Sequence, residues 1–400
     1  FNAKKTREIV LAAESYGPTS LRKALVRPMD YRWCYHSFVR PLWNEPRPNY
    51  TNQCWNGNAF LVTRRKGVVD PEGVPFFYTR NVGVQHSMQT DAYYIPIRLR
   101  NGAAVQGKKP KEQAHLLNPD ETDIEATANL STSARYYLNS LGIENSDADA
   151  HTAGLIWMHA LAIGYSPAYL SENADGIRKD WPRIPLPRNK ELLETSAELG
   201  ERIAALLDTE RSAPGVTGPP LRPEIQNIAV ITREGGGNLQ LPKELAVTAG
   251  WGHAGQNGIV MPGKGKAVER DYTAEERESL VSGAAQLGIS PEDVFKLLGE
   301  STLDIYLNQV AYWRNIPAKV WDYTIGGYQV MKKWLSYREN NLLGRPLTPD
   351  EAREVTNMAR RIAAIILLQP ALDENYYQCK GNVYVWPSVP NTISIISLTL

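Results

Sequence analysis

Arginines interleave with aromatic rings in the segment Arg27-Pro28-Met29-Asp30-Tyr31-Arg32-Trp33-Cys34-Tyr35-His36-Ser37. The pattern continues through Arg40-Pro41-Leu42-Trp43-Asn44-Glu45-Pro46-Arg47-Pro48 to Arg64-Arg65-Lys66. A guanidinium can bond bidentately to a phosphate or a guanine edge, an amide can pair with an adenine edge, and a ring can pack on a sugar or an unstacked base. Together these residue types suit a polynucleotide surface, with Arg32, Arg40, Asn44, Arg47, Arg64, Arg65 and Lys66 as the candidate contacts. A plainer role fits as well: Tyr31, Trp33 and Tyr35 alternate as on one face of a strand, with Arg32 on the other, and that face can be core.

A second cluster lies far along the chain, from Val320-Trp321-Asp322-Tyr323-Thr324 through Ile325-Gly326-Gly327-Tyr328-Gln329 to Lys332-Lys333-Trp334-Leu335-Ser336-Tyr337-Arg338. Adjacent glycines let the backbone turn sharply or come close to another segment. The residues after them can form a helix that carries Lys332, Lys333 and Arg338 towards solvent. Gln329, Lys332, Lys333 and Arg338 are the candidates here. Such lysines also serve simply to solvate a helix.

Other chemistries find no support in the sequence. There is no Gly-x-x-x-x-Gly-Lys-Ser/Thr phosphate loop, no Gly-x-Ser-x-Gly elbow and no His-Glu-x-x-His zinc helix. The stretch from Gly258 to Gly265 lacks the hydroxyl a nucleotide loop needs and reads as an ordinary loop, and Gly235–Gly237 reads as a turn. An Asn/Asp-Pro-Pro-Tyr/Phe loop for methylating a flipped adenine is also missing. The six histidines show no metal-ligand spacing. His159, in an apolar run, is expected to be a hydrogen-bonded core residue.

The elements that must carry these residues follow from composition and spacing. With 400 residues, 42% hydrophobic and 22% charged, the chain is long enough for two packed units of ordinary globular composition. A formal net charge of +1 gives no generally basic coat, yet residues 1–66 hold 12 Lys/Arg against 4 Asp/Glu. Three scattered cysteines point to a reducing, cytoplasmic setting. No apolar run nears the roughly 20 residues needed to span a bilayer. The opening Phe1-Asn2-Ala3 has neither an initiator Met nor a signal pattern, so the chain is expected to be part of a longer one.

The expected fold is mixed α+β in two lobes. Residues 1–208 form a sheet-rich front with strands near 59–63, 74–78 and 92–97, closed by helices over 134–141, 151–163, 166–178 and 190–208. The three prolines in 180–187 favour an extended strap. Residues 209–223 read as a linker or loop. The second lobe, 224–400, is expected to carry an insertion at about 224–300, strands at 228–232 and 244–248, helix starts at Thr273 and Ser290, and a long amphipathic helix from Thr348.

At these residues the chain resembles the C-terminal target-recognition region of type ISP restriction–modification enzymes. The matching pieces, in order, are 27–35, 40–48, 165–169 with 180–187, 321–338 and 344–348; residues 209–310 match nothing in the family pattern. The resemblance implies double-stranded DNA as partner, together with methyltransferase and translocase domains upstream in the same polypeptide. S-adenosylmethionine, ATP and Mg would serve that parent enzyme, and this chain itself is expected to hold no cofactor, metal or catalytic centre. It would read DNA sequence; the alternative is a coupling module that holds the methyltransferase against its motor without reading bases. The DNA reading requires the front arginines and the 332–338 stretch to share one groove.

Overall fold

The computed structural model describes residues 3–387 apart from 41, 44–46, 68 and 101–125. It is a mixed α+β fold built on several small sheets. In the front part, β1 (Leu21–Arg27) and β2 (Asp30–Tyr35) form an antiparallel hairpin, closed by Pro28 and Met29. Proline suits the first turn position, and Met29 takes the positive φ of 59° that the second position demands. β3 (Phe60–Thr63) lies buried between β4 (Phe76–Thr79) and β6 (Tyr93–Pro96), while β5 (Val82–Gly83) runs parallel to β1. β7 (Arg98–Arg100) pairs with β8 (Ala126–Ala128).

Behind these strands the helix Ala150–Gly164 is apolar on every side and therefore buried. It packs along Lys190–Leu207, whose start is capped by Asn189 Oδ1 accepting from Leu192 N at 2.9 Å. The 180–187 strap is extended as expected, and Tyr137 Oη donates to the Pro187 carbonyl at 2.7 Å. His159 is fully buried between the Ser196 hydroxyl (2.7 Å) and the Pro185 carbonyl (2.9 Å), and burial pushes its imidazole down to about 4. It is the core histidine anticipated from its apolar run. The helix expected over 166–178 breaks at Asn173 into Pro167–Glu172 and Ala174–Lys179, because the Asn173 amide turns back to the Tyr169 carbonyl at 2.9 Å.

In the second part, β9 (Val230–Arg233), β12 (Ala267–Arg270), β13 (Thr302–Tyr306) and β14 (Ala311–Pro317) form one antiparallel sheet in the order β12-β13-β14-β9. β10 (Gly252–Ala254) and β11 (Val260–Pro262) make a separate hairpin. β15 (Thr324–Ile325) and β16 (Tyr328–Gln329) flank the double glycine. The strand expected at 244–248 is absent: Lys243–Leu245 is a 3₁₀ turn, and the Asn308 amide donates to the Glu244 (2.9 Å) and Ala246 (2.7 Å) carbonyls that a ladder would have used.

All three helix starts read from capping patterns are present, Ser290 opening Pro291–Leu298. Thr273 with Glu276 opens Ala274–Gln286, and Thr348 with Glu351 opens Pro349–Leu367. Front and back share one hydrophobic cluster that includes Phe60 and Leu161 as well as Trp313 and Ile362. Buried Arg361 stitches them further, donating to the Ala205 (2.9 Å) and Leu206 (3.0 Å) carbonyls at the end of Lys190–Leu207.

Candidate nucleic-acid interface

Two stretches some 300 residues apart in sequence meet at the β1–β2 hairpin. The helix Val330–Ser336 packs against β1. At the join, Arg338 sends Nη2 to Asp30 Oδ1 at 2.7 Å and Nη1 to Asp30 Oδ2 at 3.1 Å, with Asp30 fully enclosed. Arg32 reaches the same carboxylate at 3.1 Å. Burial alone would raise the Asp30 carboxyl, but the two guanidiniums outweigh it and hold the group below its ordinary range.

Above this buried pair the Tyr337 ring faces three cations: Arg32 at 4.6 Å, Lys333 at 4.7 Å and Arg27 at 5.6 Å from its centroid. Arg27 and Lys333 also sit 5.0 and 5.6 Å from the Tyr328 ring. Burial, and then the charge of Arg27, lower the Lys333 ammonium from its usual value. Positive charge has therefore been gathered here against its own repulsion. An approaching polyanion would relieve that repulsion.

The double glycine makes this convergence possible. Gly326 and Gly327 adopt φ of 55° and 79°. A Cβ at either would lie 2.6 Å from Met88 or Val69, so the turn can be seated on the 88–89 loop only without side chains. Gln89 N donates to the Gly326 carbonyl at 2.8 Å, and its amide to the Gly327 carbonyl at 2.8 Å.

The candidates read from sequence divide into accessible groups and braces. Arg65, Lys66, Arg40 and Arg47 are exposed, and Arg32, Lys332 and Lys333 are half-buried. Arg64 is a correction: its side chain is 1% exposed, ion-paired to Glu72 and bonded to the Gln89 carbonyl at 3.2 Å. Arg338 is a second correction, since its guanidinium is spent on Asp30 and stacks on Trp334 at 3.6 Å. Neither can reach a ligand without unpairing a buried charge. The Gln329 amide donates inward to the Trp321 carbonyl at 2.9 Å. Asn44 lies outside the described residues. Lys332 lies near Asp322, whose carboxyl is raised by burial and Glu269 and pulled back by Lys332.

Three groups inside the two motifs were not among the candidate contacts. Arg27 and Tyr337 are central to the cluster, and Trp33 is 68% exposed on the hairpin with Lys23 5.7 Å from its ring. Alternation in a strand shows which residues share a face, but not whether that face is covered. Arg47 lines a cleft of ≈ 620 Å³ with His36, Trp43, Tyr50, Tyr93 and Tyr94. Burial and Arg22 push the His36 imidazole down to about 4, so that ring is uncharged at neutral pH beside the Arg47 guanidinium. Among the described residues no group of three or more His, Cys, Asp or Glu side chains is placed to hold a metal ion. No helix among them is long and apolar enough to cross a membrane.

The chain belongs to the family of type ISP C-terminal specificity domains, whose model matches residues 2–364. Three solved structures each align over 91% of the chain. They are DrdV in a DNA complex (TM-score 0.52, 14% identity), a nuclease-deletion mutant of the type ISP restriction–modification enzyme LlaGI with a DNA substrate mimic (0.45, 14%), and the ATP-dependent type ISP enzyme LlaBIII bound to DNA (0.48, 13%). The chain spans 29%, 25% and 19% of those proteins, respectively. No curated protein matches it.

Proposed function

We propose that this chain is the DNA target-recognition part of a longer type ISP restriction–modification polypeptide. One observation carries the reading: Arg27, Arg32 and Lys333, drawn from opposite ends of the sequence, crowd around Tyr337 with a single buried carboxylate, Asp30, between them. In this reading these cations, together with Arg65, Lys66 and Lys332, rest on phosphates and fix the register of a duplex. Base edges are then read from the groove by groups carried on neighbouring loops. The DNA complex of DrdV, which shares the fold, supports duplex DNA as the partner.

The rest of the enzyme is proposed from the family. An adenine methyltransferase using S-adenosylmethionine, and an ATP- and Mg-dependent translocase, would lie upstream, and this chain would supply their address. Its own residues bind and orient the duplex and carry out no step of either reaction.

Salt provides the test. Binding of the full protein to duplex DNA, followed by fluorescence anisotropy, should weaken by roughly 10³-fold or more between about 50 and 200 mM salt if six or more phosphates are contacted. An absence of duplex binding at the lowest salt overturns the reading in favour of a coupling module.

A further inference from the structure

The β10–β11 hairpin has no role in the core. From His253 to Glu269 every residue with a described side chain is exposed or half-exposed, on both faces of the ribbon. Two of them are large and apolar: Ile259 is 63% exposed and Met261 47%. Ile259, extended and immediately before β11, lies two residues from Met261 within it, a spacing that puts both on one side, and the register sets His253 opposite Met261. The stretch 252–266 contains Lys264 and Lys266 and no Asp or Glu, in a chain that holds 43 acidic residues. An arm that exposes aliphatic side chains and excludes carboxylates is poorly suited to water and well suited to a polyanion with apolar edges.

The root of this arm is held firmly. Trp251 is fully buried, its ring 5.2 Å from Trp321 and its Nε1 donating to the Tyr306 carbonyl at 2.7 Å. Glu339 accepts the Trp251 N–H. Gly263 N and Gly265 N donate back to the Trp251 and Gly250 carbonyls at 2.6 and 3.0 Å. Gly252 lies so close to Ser336 that a Cβ there would come within 1.9 Å of the Ser336 carbonyl. Ser336 ends the helix that carries Lys332 and Lys333, so arm and cationic surface share one support.

We infer that the β10–β11 arm enters the major groove of the bound duplex, with Ile259 and Met261 packed on thymine methyls or sugar edges and Gln256 at the tip facing base edges. This rests on the DNA-binding reading above and adds where the sequence is read. The dimensions fit. Three paired residues at about 3.3 Å each, extended by the tip, reach roughly 10–15 Å, against a groove about 8.5 Å deep and 12 Å wide that admits a two-stranded ribbon. Apolar side chains in such a place discriminate thymine by its methyl group.

The test compares the full wild-type protein with Ile259→Ser/Met261→Ser and with Gln256→Ala, using a pool of duplexes with a randomised centre and, for salt titration, one fixed duplex selected from it. The double variant should bind the selected duplex about tenfold or more weakly, with the slope of log K against log salt unchanged. Gln256→Ala should relax the selected sequence at one position. Unfolding midpoints should match the wild type, because the root is untouched. If both variants select the wild-type sequence with wild-type affinity, the arm does not read the groove. If the wild-type protein itself retains no duplex at any salt, the DNA-binding reading fails and takes this inference with it, an outcome distinct from the first.

Discussion

Arg64 and Arg65 are neighbours in sequence with opposite fates, and Lys333 and Arg338, at and just beyond one helix end, repeat the contrast. The inner pair is buried and answered by a carboxylate, Glu72 for Arg64 and Asp30 for Arg338. On the outer side, Arg65 is exposed and half-buried Lys333 lies over aromatic rings. One residue class thus does two jobs at this surface. Inner charges lock the hairpin, the double-glycine turn and the Val330–Ser336 helix into one body, and outer charges form the face that body presents. A buried charge that loses its partner is costly, whereas an exposed one contributes little to folding.

The largest expected effect is on the inner layer. Arg338→Met should destabilise the protein by roughly 3–5 kcal/mol, since it leaves the enclosed Asp30 carboxylate with half-buried Arg32 as its remaining ion-pair partner. Adding Asp30→Asn to it should recover a large part of that loss, as measured by urea unfolding; a double variant no more stable than the single one would break the claim that the pair acts as a unit.

The same pair also responds to pH. The Asp30 carboxyl is held below its unfolded value, so its stabilisation is full above that unfolded value and fades as pH falls through the folded one. His159, buried and uncharged, has a folded value pushed down to about 4 from 6.5. Its contribution is therefore complete above pH 6.5 and shrinks as pH falls towards 4, by on the order of 3 kcal/mol. His159→Gln should reduce the slope of the stability profile between those two values, leaving the share that His36 contributes in the same window, while Arg338→Met should change it only at lower pH. Unfolding curves collected from pH 7 to 3 separate the two.

Outer-layer changes should do the reverse. Arg65→Ala and Lys66→Ala should each alter stability by less than about 0.5 kcal/mol, and should weaken duplex binding on all sequences alike. A stability loss above about 1 kcal/mol from either would place it among the braces.

What could be read from sequence and what could not follows the range of the interactions. The starts at Thr273 and Thr348 were legible because a capping box closes within four residues, and the Gly326-Gly327 turn because its positive φ needs glycine. β9 pairs with β14, some 80 residues later, so whether the 244–248 segment finds a strand neighbour depends on contacts far along the chain. Arg64 and Arg65 could not be told apart, since burial depends on where Glu72 and the 88–89 loop arrive. The β10–β11 arm read as a loop because its strands are three residues long and its tip is glycine-rich. The mixed α+β class and the family resemblance did carry through, because five short motifs in fixed order need no knowledge of tertiary packing.

Whether Arg27, Arg32 and Lys333 form one phosphate-binding surface is tested most directly by the salt dependence of duplex binding by Arg27→Gln/Arg32→Gln/Lys333→Gln beside the wild type. The slope of log K against log salt should be shallower by roughly 0.9 for each phosphate left unneutralised, on every duplex sequence. An unchanged slope, in a variant shown to be folded, would contradict it.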